Sequence, residues 1–146
     1  MRLAGAVLAV TLLLPVAACG DPIEHYCSAM QQDRKELADM VSSEAGSAAL
    51  LDHLPMLRNL ADQAPDDLTD EWQTFLNAVE NLGRALRAAK VDPKDFKAGK
   101  PPAGTSAADV QSIQGAADQL ASDDVVQAAG AIEQQARDVC KVNFGL

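Results

Sequence analysis

Apolar residues recur at Ile23, Cys27, Met30, Leu37 and Val41, three, four or seven positions apart, with Asp33, Lys35, Glu36 and Asp39 off that stripe. This spacing predicts an amphipathic helix from Ile23 to about Glu44, ended by Gly46, with Ser47 placed to cap the next segment. That segment, Ala48 to Gln63, turns Leu50, Leu54, Leu57 and Leu60 or Ala61 inward, yet it carries Pro55 in its interior. A proline there lacks the backbone donor and crowds the preceding turn, so a kink or two short helices meeting near His53 are expected.

Ala64-Pro65-Asp66-Asp67 reads as a turn into the most regular stripe of the chain, Trp72, Phe75, Leu76, Val79, Leu82 and Leu86. Asp66, Asp67, Asp70 and Glu71 lie in or before its first turn, and Arg84, Arg87 and Lys90 lie in its last turns. Those charges complement the helix dipole, and this helix is expected at the centre of the core. Residues 91–105 hold Pro93, Gly99, Pro101, Pro102 and Gly104, too many breakers for regular structure, and are expected as one long loop. Ser106 then caps a helix carrying Val110, Ile113, Ala117 and Leu120. Ser122 or Asp123 caps a last one carrying Val125, Val126, Ala129, Ile132 and Val139, after a phase slip at Asp124. Strand-like alternation is absent and alanine is abundant, so the expected class is all-α, a four- to five-helix bundle with one long loop.

Ahead of these elements the pattern changes. Arg2 is the only early charge, an apolar run extends from Leu3 to Val16, and the small residues Ala17 and Ala18 follow, which is the layout of a signal peptide. The run is short of the roughly 20 apolar residues that span a bilayer as a helix. Val16-Ala17-Ala18-Cys19 resembles the bacterial lipobox, an aliphatic residue and two small ones before a cysteine. The resemblance implies a diacylglyceryl group on the Cys19 thiol, cleavage before Cys19, and a new amino terminus open to acylation by palmitate or a similar chain. It divides the chain into a leader, 1–18, a lipidated tether, 19–22, and a single helical domain, 23–146. The expected location is the outer face of the bacterial cell membrane, with the bilayer as partner through acylated Cys19. Two acyl chains, at about 0.8 kcal/mol per buried methylene, hold such an anchor stably. Ordinary secretion is the other reading, because Val16 and Ala18 also satisfy a small-residue cleavage rule and Cys19 is then an incidental thiol.

With Cys19 committed to lipid, Cys27 and Cys140 remain as an even pair in an oxidising compartment and are expected to form a disulfide between the first and last helices. Two reduced buried thiols are the alternative. The bridge restricts topology, since five full-length helices in strict up-and-down order leave the two cysteines at opposite ends. Either the proline-broken segment does not cross the bundle, or loop 91–105, able to span roughly 50 Å when extended, returns the chain to its starting end.

Cleavage removes Arg2 and no acid, leaving eleven basic residues against twenty-one acidic ones, a formal net charge of −10. Such a surface is repelled by phosphate backbones, so nucleic acid is not an expected partner. His25 and His53 are the only histidines, with no H-E-x-x-H helix, C-x-x-C pair or calcium loop, so no metal or cofactor is expected. No G-x-S-x-G elbow or serine–lysine pair is present, and the clusters Asp66-Asp67-Asp70-Glu71 and Asp123-Asp124 read more simply as helix-start charges than as a glycosidase pair. An enzyme is therefore not expected. Arg84, Arg87, Lys90, Lys94, Lys97 and Lys100 gather half of the twelve basic residues into seventeen positions. They are a candidate docking track for an anionic wall polymer or acidic envelope protein, against the plainer reading of helix-end compensation and a solvated loop.

Leu54-Pro55-Met56-Leu57-Arg58 with Leu60-Ala61, Ala64-Pro65-Asp66-Asp67-Leu68 with Trp72, Val91-Asp92-Pro93 and Val139-Cys140 together resemble a group of small exported actinobacterial proteins. That resemblance implies a helical fold, the cysteine bridge and frequent lipidation, and it transfers no active site. The expected function is a non-enzymatic binding or cell-envelope interaction module. The alternative is a carrier or receptor for a small hydrophobic ligand held inside the bundle.

Overall fold

A computed structural model describes residues 21–96 and 100–143. The expected leader, 1–18, together with Cys19, Lys97 and Phe144, lies outside the described residues. Within them the chain is all-α, with seven α-helices and two short 3-10 turns. The helices are α1 (Pro22–Gln32), α2 (Arg34–Val41), α3 (Ser47–Asp52), α4 (Leu54–Asp62), α5 (Thr69–Ala89), α6 (Ala107–Leu120) and α7 (Asp123–Asp138). The number exceeds the expected four to five because the first two predicted segments are each broken in two.

The first break falls at Asp33, where the backbone turns to φ −89°, ψ 4°. Tyr26, Met30, Leu37 and Met40 are buried, and their rhythm calls for an apolar residue at 33, where the chain supplies Asp33. The second break is the expected one. His53 separates α3 from α4, and Pro55 sits in the first turn of α4, where its missing donor costs nothing. Gly46, at φ 53°, occupies the cap of α3, and Ser47 is the first helical residue rather than the cap.

Helix α5 runs 21 residues, about 31 Å, and packs against α3, α4, α6 and α7. Its buried face holds Trp72, Ala78, Val79, Leu82 and Leu86, while Phe75 and Leu76 are half-buried. Helix α6 begins where expected: Ser106 Oγ accepts from the Asp109 amide at 3.1 Å. Helix α7 is rotated from its expected phase, burying Val125, Ala128, Ile132 and Ala136 and leaving Val126 and Val139 60% and 46% exposed. Alanine lets the backbones of α7 and α5 approach closely, and that outweighs burial of two valines.

The packing falls into two clusters. The larger joins Tyr26 and Met30 of α1, Leu37 of α2, Leu57 of α4, Trp72 of α5 and Ile132 of α7. The smaller joins Leu82 and Leu86 of α5 to Val91 and to Ile113 of α6. Helices α6 and α7 thus divide α5 between them, α6 on its C-terminal half and α7 on its N-terminal half. This division returns the chain to α1, where the sulfurs of Cys27 and Cys140 lie 2.03 Å apart, at disulfide distance. Cys140 is two residues beyond α7 rather than within the last helix, on an extension folded back by a bond from the Val142 amide to the Ala136 carbonyl. Among the described residues no helix is long and apolar enough to cross a membrane.

Candidate functional site

An apolar cleft of about 430 Å³ opens over Trp72, between α2 and α7. Met30, Leu37 and Met40 form one wall, Leu50 and Leu57 reach it from α3 and α4, and Ala129, Gly130 and Ile132 form the α7 wall. The break at Asp33 and the rotation of α7 create it. The first lets α2 turn away from the line of α1, and the second leaves Val126 at the rim with Val41, which is 37% exposed. Trp72 is 3% exposed and meets Phe75 edge-on, with ring centroids 6.3 Å apart. A Cβ built on Gly130 would meet nothing within 4 Å, so this stretch of wall is open.

Glu133 is the one ionisable side chain in the lining. Its carboxylate accepts from Arg137 Nη1 at 3.0 Å, and Arg137 Nε lies 3.8 Å from Asp138 Oδ1. Behind the cleft, Trp72 Nε1 donates to the Tyr26 hydroxyl at 3.1 Å. Burial pushes the Tyr26 phenol up to about 12; the Trp72 hydrogen bond opposes the shift and the charge of Asp67 adds to it. A second, wider hollow of about 600 Å³ lies over the smaller cluster, with Glu44, Lys94 and Gln114 interspersed among Phe96 and Ile113.

The basic residues of the candidate track are only partly available. Arg84 contacts Asn81 and lies 3.9 Å from Glu80, which also pairs with Arg58 at 2.8 Å. Arg87 lies over Gly83, Lys90 ends α5 in a left-handed conformation, and Lys94 stands 3.8 Å from Asp52 on α3. Lys100 is exposed. His53 Nδ1 lies 2.9 Å from Glu36 Oε1, joining α2 to the α3–α4 junction, while His25 is exposed on α1. Among the described residues no group of His, Cys, Asp and Glu side chains is arranged to hold a metal ion.

The cleft was not evident from the apolar pattern. Its signals in the chain are two methionines in the first predicted helix and one valine too many on the last. In comparisons with protein families, curated proteins and solved structures, the chain matches none.

Proposed function

We propose that the chain is a non-enzymatic binding protein held by lipid on Cys19 at the outer face of a bacterial membrane, and that it takes an apolar ligand in the cleft over Trp72. The cleft is the observation that carries this reading. Its volume of about 430 Å³ falls within the roughly 300–1,000 Å³ of small-molecule sites, and its lining is apolar with one charged group, the usual composition of such sites. The leader and Val16-Ala17-Ala18-Cys19 support the anchor, as does the resemblance to small exported actinobacterial proteins. Helix α1 starts at Pro22 with Asp21 as its cap, so a lipid on Cys19 holds the helical domain close to the bilayer.

Docking of an envelope protein or wall polymer on the basic track is the second reading, favoured by the exposed Arg87, Lys90 and Lys100. It ranks second because Arg84 and Lys94 already face Glu80 and Asp52. Native mass spectrometry of the mature chain, residues 19–146 with Cys19→Ser so that no lipid anchors it, exported and recovered without detergent, separates the two. A stoichiometric apolar small molecule is expected, and Ala129→Phe, which fills the cleft, should remove it. A bare chain, both as isolated and after incubation with total lipid extract, would sink the cleft reading.

A further inference from the structure

The lining of the cleft carries one formal charge, and its sign constrains the ligand. Glu133 is 32% exposed and stands on the α7 wall beside Ile132 and Ala129. Arg137 does not neutralise it fully, because the same guanidinium also faces Asp138, and the three groups together carry one net negative charge. The whole chain adds a negative background, with formal net charge −9. An anionic head entering here loses water beside an apolar wall and meets like charge on Glu133. A hydroxyl or an ammonium instead donates a hydrogen bond to the Glu133 carboxylate, and the ammonium gains attraction as well.

The volume constrains the tail. At roughly 30 Å³ for a water-sized group such as a methylene, the 430 Å³ of the cleft takes about fourteen carbons. That suits one long chain better than the two tails of a membrane phospholipid. Met30 and Met40, unbranched and adaptable, suit a wall that must fit a tail of no fixed shape.

Resting on the cleft as the binding site, we infer that the ligand is a single long aliphatic chain with a hydrogen-bond-donating, non-anionic head, and that Glu133 selects against fatty-acid carboxylates. Trp72 is the only tryptophan of the chain and lines the cleft, so its fluorescence reports occupancy directly. The probes are tetradecylamine, tetradecanol and tetradecanoate brominated near the chain end, added below micelle-forming concentrations at pH 8 to the mature protein, residues 19–146 with Cys19→Ser. The amine and the alcohol should quench Trp72 at concentrations at least about tenfold lower than the acid. Glu133→Gln should bring all three within about threefold of one another, with an unchanged helical circular dichroism spectrum. Equal quenching by all three, preference for the acid, or a preference that survives Glu133→Gln would each overturn the role of Glu133 while leaving the cleft as a site. Absence of quenching by every probe would overturn the cleft reading and this inference together.

Discussion

Tyr26 has no accessible surface, and its hydroxyl accepts from Trp72 forty-six positions away. Its phenol is pushed from 10.0 up to about 12, chiefly by burial. The folded chain favours the neutral form, so the stability from this group is complete below pH 10 and is lost as pH rises through 12. The loss approaches about 2–3 kcal/mol at its limit. The urea midpoint should fall across that window, and Tyr26→Phe should flatten the fall while costing about 1 kcal/mol at neutral pH by leaving the Trp72 donor unpartnered. An equally steep alkaline fall in Tyr26→Phe would assign the effect to another group. The burial of Tyr26 was not legible from the chain. Stripes through Ile23, Cys27 and Met30 or through Tyr26, Met30 and Leu37 differ by one position, and the distant Trp72 decides between them.

Elements were legible where backbone chemistry is local. Pro55 announced the break between α3 and α4, the charges at its two ends marked α5, and Ser106 marked the start of α6. Ser106 Oγ accepts from the Asp109 amide at 3.1 Å and donates to the Asp109 carboxylate at 2.7 Å. Ser106→Ala should therefore cost about 1 kcal/mol, read as a fall of roughly 3–5 °C in Tm for a domain of this size; a Tm within about 1 °C of the parent would show that the cap contributes nothing. Elements were misread where alanine decides the phase. On α7 the chain offers valines at 125, 126 and 139 and alanines at 128, 129 and 136, and hydropathy alone turns the valines inward. Val125 does turn inward, but close packing on α5 brings Ala128 and Ala136 inward with it and leaves Val126 and Val139 exposed. The same rotation puts Val126, Ala129 and Gly130 around the cleft, so the error in phase and the missed site have one cause.

For the whole molecule, the pairing of Cys27 with Cys140 followed from the cysteine count, but the route that brings them together did not. Neither a crossover loop nor the short second segment alone supplies it; α6 and α7 do, by sharing the length of α5. The bond joins residues 113 positions apart, and the chain-entropy estimate for so long a loop is close to 5 kcal/mol, within an observed range of about 2–5 kcal/mol for native bridges. Cys27→Ala with Cys140→Ala should lower the urea midpoint accordingly, and an unchanged midpoint would show that the closure adds no stability. The division of α5 also bears on the order in which the chain gains structure. Leu82, Leu86, Val91 and Ile113 span few residues, whereas Tyr26, Met30 and Leu57 wait for Ile132, Ala136 and Val142 at the far end of the chain. Contacts across short separations close sooner. The α5–α6 hairpin should accordingly nucleate folding, leaving Trp72 on a half-dressed helix until α7 arrives. In the reduced chain, where no bridge already joins the two ends, pulse-labelled hydrogen exchange during refolding should find the amides of 82–89 and 113–120 protected before those of 26–30, and the reverse order would put the nucleus at the Cys27–Cys140 end.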